Sequence, residues 1–259
     1  MPAHPDSQPA SRRRRRLLLG SAAFVLLLLF LLLAGPVRSH ALAFQVGPFE
    51  AGRIALVNLL KGPVRVGIQI GHLDAHLHPE EHAALRWNTG GHADGIDELE
   101  VNRAVAAELV LLLEERSVEV DLLPASVPIH YSADAILSLH ADSVTDSWRN
   151  GYKSAFFEPA RNASDPVLKR LIDEAYLEGS GLDDDSLNTS GTMINYYAFN
   201  PEYEHSVNPR SPALLIEMGY ISNPEDRRFL LRPEQPATLI AAGLLAYLTE
   251  IGRLPPQSH

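Results

Sequence analysis

The 259-residue sequence contains no cysteine, and this absence excludes two kinds of structure. Without thiols the chain forms neither disulfide bonds nor thiolate metal sites. Any metal ion must therefore be bound by histidine and carboxylate side chains. The sequence also lacks an internal repeat and any sign of a second domain. The part that follows the first forty residues is predicted to form one domain with a full core.

Basic residues are scarce once the N-terminal segment is set aside. The whole chain has 22 basic and 32 acidic residues and a net charge of −10. Six of the basic residues (Arg12 to Arg16 and Arg38), but only Asp6 of the acidic ones, lie in the first forty residues. The remainder has 16 basic and 31 acidic residues and so carries a charge of −15. Such a domain repels polyanions, which argues against nucleic acid as a partner.

The first 36 residues have the pattern of a membrane-targeting segment. A basic tail over residues 1–16 ends in five arginines, and Leu17 to Ala34 form an unbroken apolar run of roughly bilayer-spanning length. The arginines before the run predict that the N-terminus is cytoplasmic. A transmembrane anchor over residues 17–36 is therefore expected, with the domain outside the cytoplasm at the cell membrane. A cleaved signal peptide stays the alternative, because Ala41-Leu42-Ala43 resembles a cleavage site, and the protein would then be secreted.

Beyond the apolar run, strand patterns alternate with helix patterns. A juxtamembrane linker over residues 37–61 precedes a domain predicted at 62–253, and a short tail follows at 254–259. Strands are predicted at residues 64–70, 118–122, 135–139, 152–157 and 213–216, and helices at 97–116, 166–178, 224–231 and 235–251. Segments 72–94 and 179–212 are expected to be irregular, the second facing the substrate. This order favours an α/β fold with a mostly parallel central sheet and helices on both faces.

The helix predicted at residues 97–116 has one apolar face. Its stripe consists of Val101, Ala104, Val105, Leu109, Leu112 and Leu113. Glu98 precedes Val101 by three residues and shares that buried face. Glu100 lies about 200° around the helix from Glu98 and should face solvent. Glu98 is therefore the acidic residue expected at the interior.

Three predicted strands end in an ionisable residue. His72 follows Ile70-Gly71, His140 follows Leu139, and Glu217 follows Ile216. The carboxyl ends of parallel strands lie at one edge of an open sheet, where ligands bind. Glu98 joins them because the start of its helix adjoins the end of the preceding strand. Two histidines and two glutamates are thus expected at one edge of the sheet.

This set of side chains predicts a catalytic zinc site. His72, Glu98 and His140 are the expected ligands, since catalytic zinc uses three protein ligands and keeps one position open for water. Glu217 is the expected general base, which would take up a proton and return it to a leaving amine. Burial at the end of an apolar strand predicts a raised pKa for Glu217. Asn102, one turn after Glu98, is expected to orient that ligand.

The same residues resemble the motifs of the zinc-dependent N-acetylmuramoyl-L-alanine amidases, which are cell-wall hydrolases. The matching elements are Gly71-His72, Glu98 to Asn102 (Glu-x-x-x-Asn), Ser138 to Ala141 (Ser-x-His-Ala) and Glu217 to Pro224 (Glu-x-Gly-aromatic-x-Ser-Asn-Pro). Their order agrees with the family and they span most of the predicted domain. The resemblance implies hydrolysis of the amide bond between N-acetylmuramic acid and L-alanine in peptidoglycan, with zinc as cofactor.

The sequence departs from the family pattern around the first ligand. The family usually has Asp-Pro-Gly-His-Gly-Gly, whereas this chain reads Gln69-Ile70-Gly71-His72-Leu73-Asp74, and Asp142 stands where asparagine is common. Neither departure removes a predicted ligand. The loop between His72 and Glu98 is also longer than usual. It contains four further histidines, namely His76, His78, His82 and His92. The two of the segment from His78 to His82 are predicted to be solvent-exposed.

Three alternatives remain open at this point. His78-Pro79-Glu80-Glu81-His82 fits the H-x-x-E-H pattern of some zinc peptidases, but that motif requires a helix and this segment contains proline. A zinc peptidase acting on the stem peptides of the wall would use the same three ligands. The domain is otherwise a non-catalytic module that binds the wall or regulates another hydrolase. The oligomeric state is not predicted by the sequence.

Overall fold

The computed structural model describes residues 48–256, so the predicted basic tail and transmembrane segment lie outside the described residues. Helix α1 (Pro48–Lys61) occupies the end of the predicted linker. Residues Gly62–Leu254 form a separate compact unit. Within residues 48–256, every helix is too short or too polar to span a bilayer.

A five-stranded sheet forms the centre of Gly62–Leu254. The strands of this unit are β1 (Arg65–Ile70), β2 (His92–Ala93), β3 (Ile96–Asp97), β4 (Glu119–Leu123), β5 (Ala135–Asp142), β6 (Lys153–Ala155) and β7 (Ala213–Tyr220). The sheet has the order β4-β1-β5-β7-β6, while β2 and β3 form a small separate hairpin. Strands β4, β1, β5 and β7 are parallel, and the short edge strand β6 is antiparallel to β7. The mostly parallel sheet is therefore confirmed.

Long helices cover one face of this sheet. The α-helices of Gly62–Leu254, including the four-residue α4 that lies on the other face, are α2 (Glu98–Glu114), α3 (Asp165–Ser180), α4 (Gly191–Ile194), α5 (Pro224–Leu230) and α6 (Glu234–Glu250). Helix α6 packs against both α2 and α3. Helices α2, α3, α5 and α6 share one apolar core with alternate residues of β1, such as Val66, Ile68 and Ile70. That alternation places the intervening residues of β1 on the other face.

The other face is covered mainly by irregular chain, which corrects the expectation of helices on both faces. Met193, Phe199 and Val207 pack there in a second apolar core against Ile136 and Leu215 of the sheet. Met193 belongs to the four-residue α4, Phe199 to a short 3₁₀ turn, and Val207 to an isolated β-bridge with Tyr131. Their side chains bury the sheet without a long helix, because a few apolar residues in a well-anchored loop remove enough surface from water.

Helix α2 buries two rows of residues. Val101, Val105, Leu109 and Leu113 form the predicted row, but Ala104 is exposed. The second row, at a spacing of four, consists of Glu98, Asn102 and Ala106. Residues four apart lie on the same side of a helix. Glu98 is therefore buried at the start of α2, while Glu100 is exposed, as the sequence predicts.

Candidate active site

The four predicted site residues come together at the carboxyl edge of the sheet. His72 directly follows β1 and Gly71, His140 lies in β5, and Glu217 lies in β7. His140 and Glu217 are direct neighbours in the register of the parallel β5–β7 pair. Glu98, the first residue of α2, completes the group. All four line one cleft.

His72, Glu98 and His140 have the spacing of three ligands of one ion. Their ligand atoms all lie within 4.8 Å of one another. The Glu98 Oε1 atom is 3.2 Å from His72 Nε2 and 2.9 Å from His140 Nδ1. Tetrahedral zinc with bonds of about 2.0 Å places its ligand atoms roughly 3.3 Å apart. The residues present therefore fit the predicted metal.

The hydrogen bonding of His72 provides a second test of that fit. Its Nδ1 atom lies 3.0 Å from the carbonyl oxygen of Asn88, which only accepts hydrogen bonds. Nδ1 must therefore carry a proton, and in the neutral ring Nε2 presents a lone pair to the Glu98 carboxylate. Two lone pairs at this distance require a cation between them, either a proton or a metal ion. The chemistry of the group thus favours a bound cation.

The pKa shifts of His72 and Glu98 also result from the contacts among His72, Glu98 and His140. Burial alone would lower the pKa of His72, but the hydrogen bond and the charge of Glu98 raise it above the ordinary value. Burial would raise the pKa of Glu98, but its hydrogen bonds with His140 and His72 lower it. The carboxylate is therefore ionised and ready to bind a cation.

Additional contacts fix the orientation of Glu98. Its Oε2 atom accepts a hydrogen bond from the backbone nitrogen of Gly91 at 2.8 Å. The amide nitrogen of Asn102 lies 3.4 Å from Glu98 Oε1 and 3.4 Å from the carbonyl oxygen of Gly71. Asn102 therefore contacts both the predicted ligand Glu98 and the residue before the predicted ligand His72, although both hydrogen bonds are long.

Glu217 has the environment of a group that exchanges protons. Its Oε2 atom is buried and has no hydrogen-bond partner among the described residues. Burial raises the pKa of Glu217 well above its ordinary value, and the negative charges of Glu98 and Asp142 raise it further, while Lys153 opposes them. A carboxyl group with these neighbours binds a proton more readily than an exposed glutamate does.

Lys153 belongs to a buried charged cluster that the sequence did not reveal. Its ammonium group donates to Asp142 Oδ2 at 2.6 Å, to Asp185 Oδ2 at 3.1 Å and to the hydroxyl of Tyr220. Lys153 pairs in register with Glu217 on the neighbouring strand. The cluster therefore places a compensated positive charge near the proposed base. A lysine in a short edge strand carries no sequence signal for such a role.

The site opens into a cleft of about 820 Å³. One wall is formed by two short 3₁₀ turns, Ala75–Leu77 and Glu80–Leu85. Another wall comes from the irregular segment 179–212, including Asn188 and Tyr203. That segment was predicted to face the substrate. The size of the cleft is within the usual range for ligand-binding sites.

The prediction that His78 and His82 are exposed is wrong. Each is only 4% exposed. Their rings pack edge-on against each other and against Tyr197, which explains their burial. They do not join the metal group, which is the one such cluster found among residues 48–256. The H-x-x-E-H segment thus forms part of the cleft wall, while His76 and His92 are exposed.

The fold and the site together define a class of protein. An open, mostly parallel sheet presents two histidines and a glutamate for a metal at its carboxyl edge, and a second carboxyl group lies beside them. This is the arrangement of a metal-dependent hydrolase.

Comparison with known proteins identifies the family within that class. The model of the N-acetylmuramoyl-L-alanine amidase family matches residues 68–246, well over half of the chain. The chain therefore belongs to the N-acetylmuramoyl-L-alanine amidase family. It hydrolyses the amide bond between N-acetylmuramic acid and L-alanine in peptidoglycan. No curated protein matches the chain by sequence.

Solved amidase structures share the fold. The catalytic domain of CwlV from Bacillus (Paenibacillus) polymyxa var. colistinus is 19% identical and has a TM-score of 0.52, with 72% of this chain and 98% of that one covered. An amidase from Clostridium difficile 630 is 18% identical, with coverage of 72% and 97% and a TM-score of 0.53. Ami1 from Mycobacterium smegmatis is 16% identical, with the same coverage and a TM-score of 0.53.

Proposed function

We propose that this amidase works with one zinc ion bound by His72, Glu98 and His140, and with Glu217 as its catalytic acid–base residue. The observation that carries the proposal is the convergence of three ligand atoms within 4.8 Å of one another. When bound, zinc polarises the scissile carbonyl group and makes a water molecule more acidic. The remaining chemistry falls to the side chains of the chain itself.

Glu217 is suited to move the proton. Its buried Oε2 atom has no hydrogen-bond partner among the described residues, and Glu217 lines the same cleft as the three ligands. In the proposed reaction Glu217 takes a proton from the attacking water and later donates it to the leaving nitrogen of L-alanine. The raised pKa of Glu217, caused by burial and by the nearby carboxylates, favours its holding that proton between the two steps.

Two residues are proposed to keep the ligands in place. The carbonyl group of Asn88 accepts from His72 Nδ1, which directs Nε2 of that ring toward Glu98. The amide of Asn102 lies between Glu98 and the backbone of Gly71. Partners of this kind commonly change metal affinity 10- to 100-fold when they are removed.

Replacement of Glu217 by glutamine tests its proposed role. Glu217→Gln should retain zinc but lose roughly 100- to 10,000-fold in rate, because the amide cannot carry the proton. The rate is measured by mass spectrometry of digested muropeptides, which shows whether peptides beginning with L-alanine are released. Glu100→Gln, a change at an exposed position of α2, is the control and should keep full activity. A normal rate in Glu217→Gln would remove Glu217 from the mechanism.

Metal analysis tests the ligand set independently of activity. The wild-type protein should contain one zinc ion per chain, and His140→Ala should lose most of it. His76→Ala, which alters an exposed histidine outside the group, should bind zinc normally. Unchanged zinc content in His140→Ala would exclude this residue as a ligand.

The bond specificity separates this function from its alternatives. A zinc peptidase would trim a purified stem peptide without the sugar, whereas the amidase should leave it intact. Membership of the amidase family supports the second outcome. A non-catalytic module would bind peptidoglycan and release nothing, but all four residues that catalysis needs are present.

The N-terminal segment is proposed to anchor the enzyme in the cell membrane, with the domain outside the cytoplasm. The arginine block at residues 12–16 and the apolar run that follows support this location. The test is the mass of the mature protein together with its release from membranes. An intact chain that only detergent releases supports the anchor, while a chain that begins after Ala43 indicates a cleaved signal peptide.

A further inference from the structure

The binding of a metal by His140 depends on where its ring proton lies. His140 Nδ1 faces Glu98 at 2.9 Å, so this nitrogen must have a free lone pair if it is to act as a ligand. The other nitrogen, Nε2, lies 3.2 Å from the hydroxyl group of Tyr196. A hydroxyl can donate or accept a hydrogen bond, so this contact alone does not determine the position of the proton. The other hydrogen-bond partners of Tyr196 determine where the proton lies.

Gln69 is another hydrogen-bond partner of Tyr196, and it fixes the direction in which the Tyr196 hydroxyl donates. It is completely buried in β1, and its amide nitrogen lies 2.6 Å from the carbonyl oxygen of Ala125. The carbonyl only accepts, so the NH₂ group of Gln69 must face it. The amide oxygen of Gln69 must then face Tyr196, whose hydroxyl oxygen lies 3.1 Å away. This oxygen also only accepts.

Tyr196 has one hydroxyl proton, and these neighbours determine its use. Three acceptors lie within reach of this proton, namely Gln69 Oε1 at 3.1 Å, His140 Nε2 at 3.2 Å and the Tyr197 hydroxyl at 3.4 Å. The proton goes to Gln69 Oε1, because that buried oxygen can only accept a hydrogen bond, whereas the ring nitrogen can instead donate one. The two lone pairs of Tyr196 then remain as acceptors. One receives the hydroxyl of Ser138 at 3.2 Å, and the other faces His140 Nε2. The ring must therefore be the donor.

We propose that Gln69 and Tyr196 are positioning residues that hold the proton of His140 on Nε2 and so keep Nδ1 free for the metal. The backbone carbonyl of Ala125 accepts from Gln69, Gln69 accepts from Tyr196, and Tyr196 accepts from the ring of His140, so each hydrogen bond determines the direction of the next. An ionised aspartate or glutamate at position 69 would also accept from Tyr196, but it could not donate to the carbonyl of Ala125. The inference rests on the proposed function, because it concerns a ligand of the proposed zinc site.

Two variants remove the two links of this chain of hydrogen bonds. Tyr196→Phe deletes the acceptor of the His140 proton, and Gln69→Leu deletes the acceptor of the Tyr196 proton. In both variants the ring of His140 is free to adopt the other tautomer, which would block Nδ1. Tyr197→Phe is the matched control, because it removes a hydroxyl from the adjacent tyrosine, whose main partner is the carbonyl of Ala125 at 2.7 Å.

The first measurement is the zinc affinity of the full-length protein by competition with a chelator. We expect a 10- to 100-fold loss in Tyr196→Phe and Gln69→Leu, as is typical when the partner of a ligating histidine is removed, and little change in Tyr197→Phe. Thermal unfolding of the zinc-free proteins shows whether a variant is folded before its affinity is compared.

The second measurement reads the tautomer directly. Nitrogen-15 NMR of the histidine rings in the zinc-free protein, with His140 assigned by the signal lost in His140→Ala, should show a proton on Nε2 in the wild type, whether or not Nδ1, which faces the Glu98 carboxylate, also carries one. In the two variants this proton should be partly lost from Nε2. A merely structural role of Tyr196 would not move this signal. If both variants keep the wild-type tautomer and zinc affinity, the inference is overturned.

The outcomes separate this inference from the proposed function. A wild-type protein that binds no zinc would contradict the ligand set itself. A wild-type protein that binds zinc, together with variants that bind it equally well, would contradict only the role of Gln69 and Tyr196.

Discussion

One added methyl group at Gly71 tests how closely the site is packed. A Cβ atom there would lie 2.5 Å from Cε1 and 2.6 Å from Nδ1 of the His140 ring, and 2.6 Å from the carbonyl oxygen of Leu139. Nonbonded carbon atoms normally stay about 3.5 to 4.0 Å apart. The carbonyl cannot readily retreat, because it accepts a hydrogen bond from Gly71 itself at 3.0 Å. Gly71→Ala must therefore displace the ring of His140.

The magnitude follows from this overlap. Overpacking of an interior commonly costs about 1 to 3 kcal/mol, and a cost of about 2 kcal/mol lowers the melting temperature of a domain of this size by roughly 4 to 8 °C. Metal bonds tolerate errors of only about 0.2 Å, whereas the ring must move by about 1 Å to restore normal contacts. We therefore expect a loss of zinc affinity of at least about tenfold, or about 1.4 kcal/mol.

Thermal unfolding of the zinc-free protein and zinc competition with a chelator measure the two effects separately. Gly52→Ala is the control, since a Cβ atom at Gly52 in α1 meets nothing within 4 Å. It should leave zinc affinity unchanged and should not lower the melting temperature. Wild-type stability and zinc affinity in Gly71→Ala would refute the packing argument.

The remaining predictions concern buried charge. Lys153→Met should lower the free energy of unfolding by about 3 to 5 kcal/mol, because it leaves Asp142 and Asp185 without their cation. The control Arg170→Met breaks an exposed ion pair and should lower the free energy of unfolding by at most about 1 kcal/mol. Denaturant titrations measure both values, and equal losses in the two variants would contradict this prediction. Burial, followed by the charges of His82 and Arg86, lowers the pKa of His78 from 6.5 to about 4. Below pH 6.5 the unfolded chain therefore binds a proton that the folded chain rejects, so stability should fall as the pH drops from 6.5 to about 4. His78→Phe should weaken this dependence, and an unchanged slope in melting temperature against pH would argue that His78 is not its source.

Local patterns predicted much of the fold because their causes are local. The helical period placed Glu98 on the buried face of α2 and Glu100 in solvent, and both positions are confirmed. Apolar strands that end in His72, His140 and Glu217 predicted a shared edge, since the carboxyl ends of parallel strands meet there. The structure brings these residues together.

Other features depend on contacts that no local pattern encodes. His78 and His82 looked like polar loop residues, but Tyr197 of a distant segment buries them. The segment 179–212 looked irregular, and it is, yet its apolar side chains replace a helix on one face of the sheet. Tyr197 lies more than a hundred residues after His78 and His82 in the sequence. The apolar side chains of segment 179–212 reach the sheet only because of the path that this loop takes.

The sequence by itself determined the chemistry available to this protein. The absence of cysteine restricted any metal to histidine and carboxylate ligands, and the order of the strands brought His72, His140 and Glu217 to one edge of the sheet. Only the tertiary structure decided which ring nitrogens face the metal position. That choice depends on the direction of hydrogen bonds between groups such as Gln69 and Tyr196, which lie 127 residues apart. The direction of a hydrogen bond is defined only after folding has brought its donor and its acceptor within bonding distance.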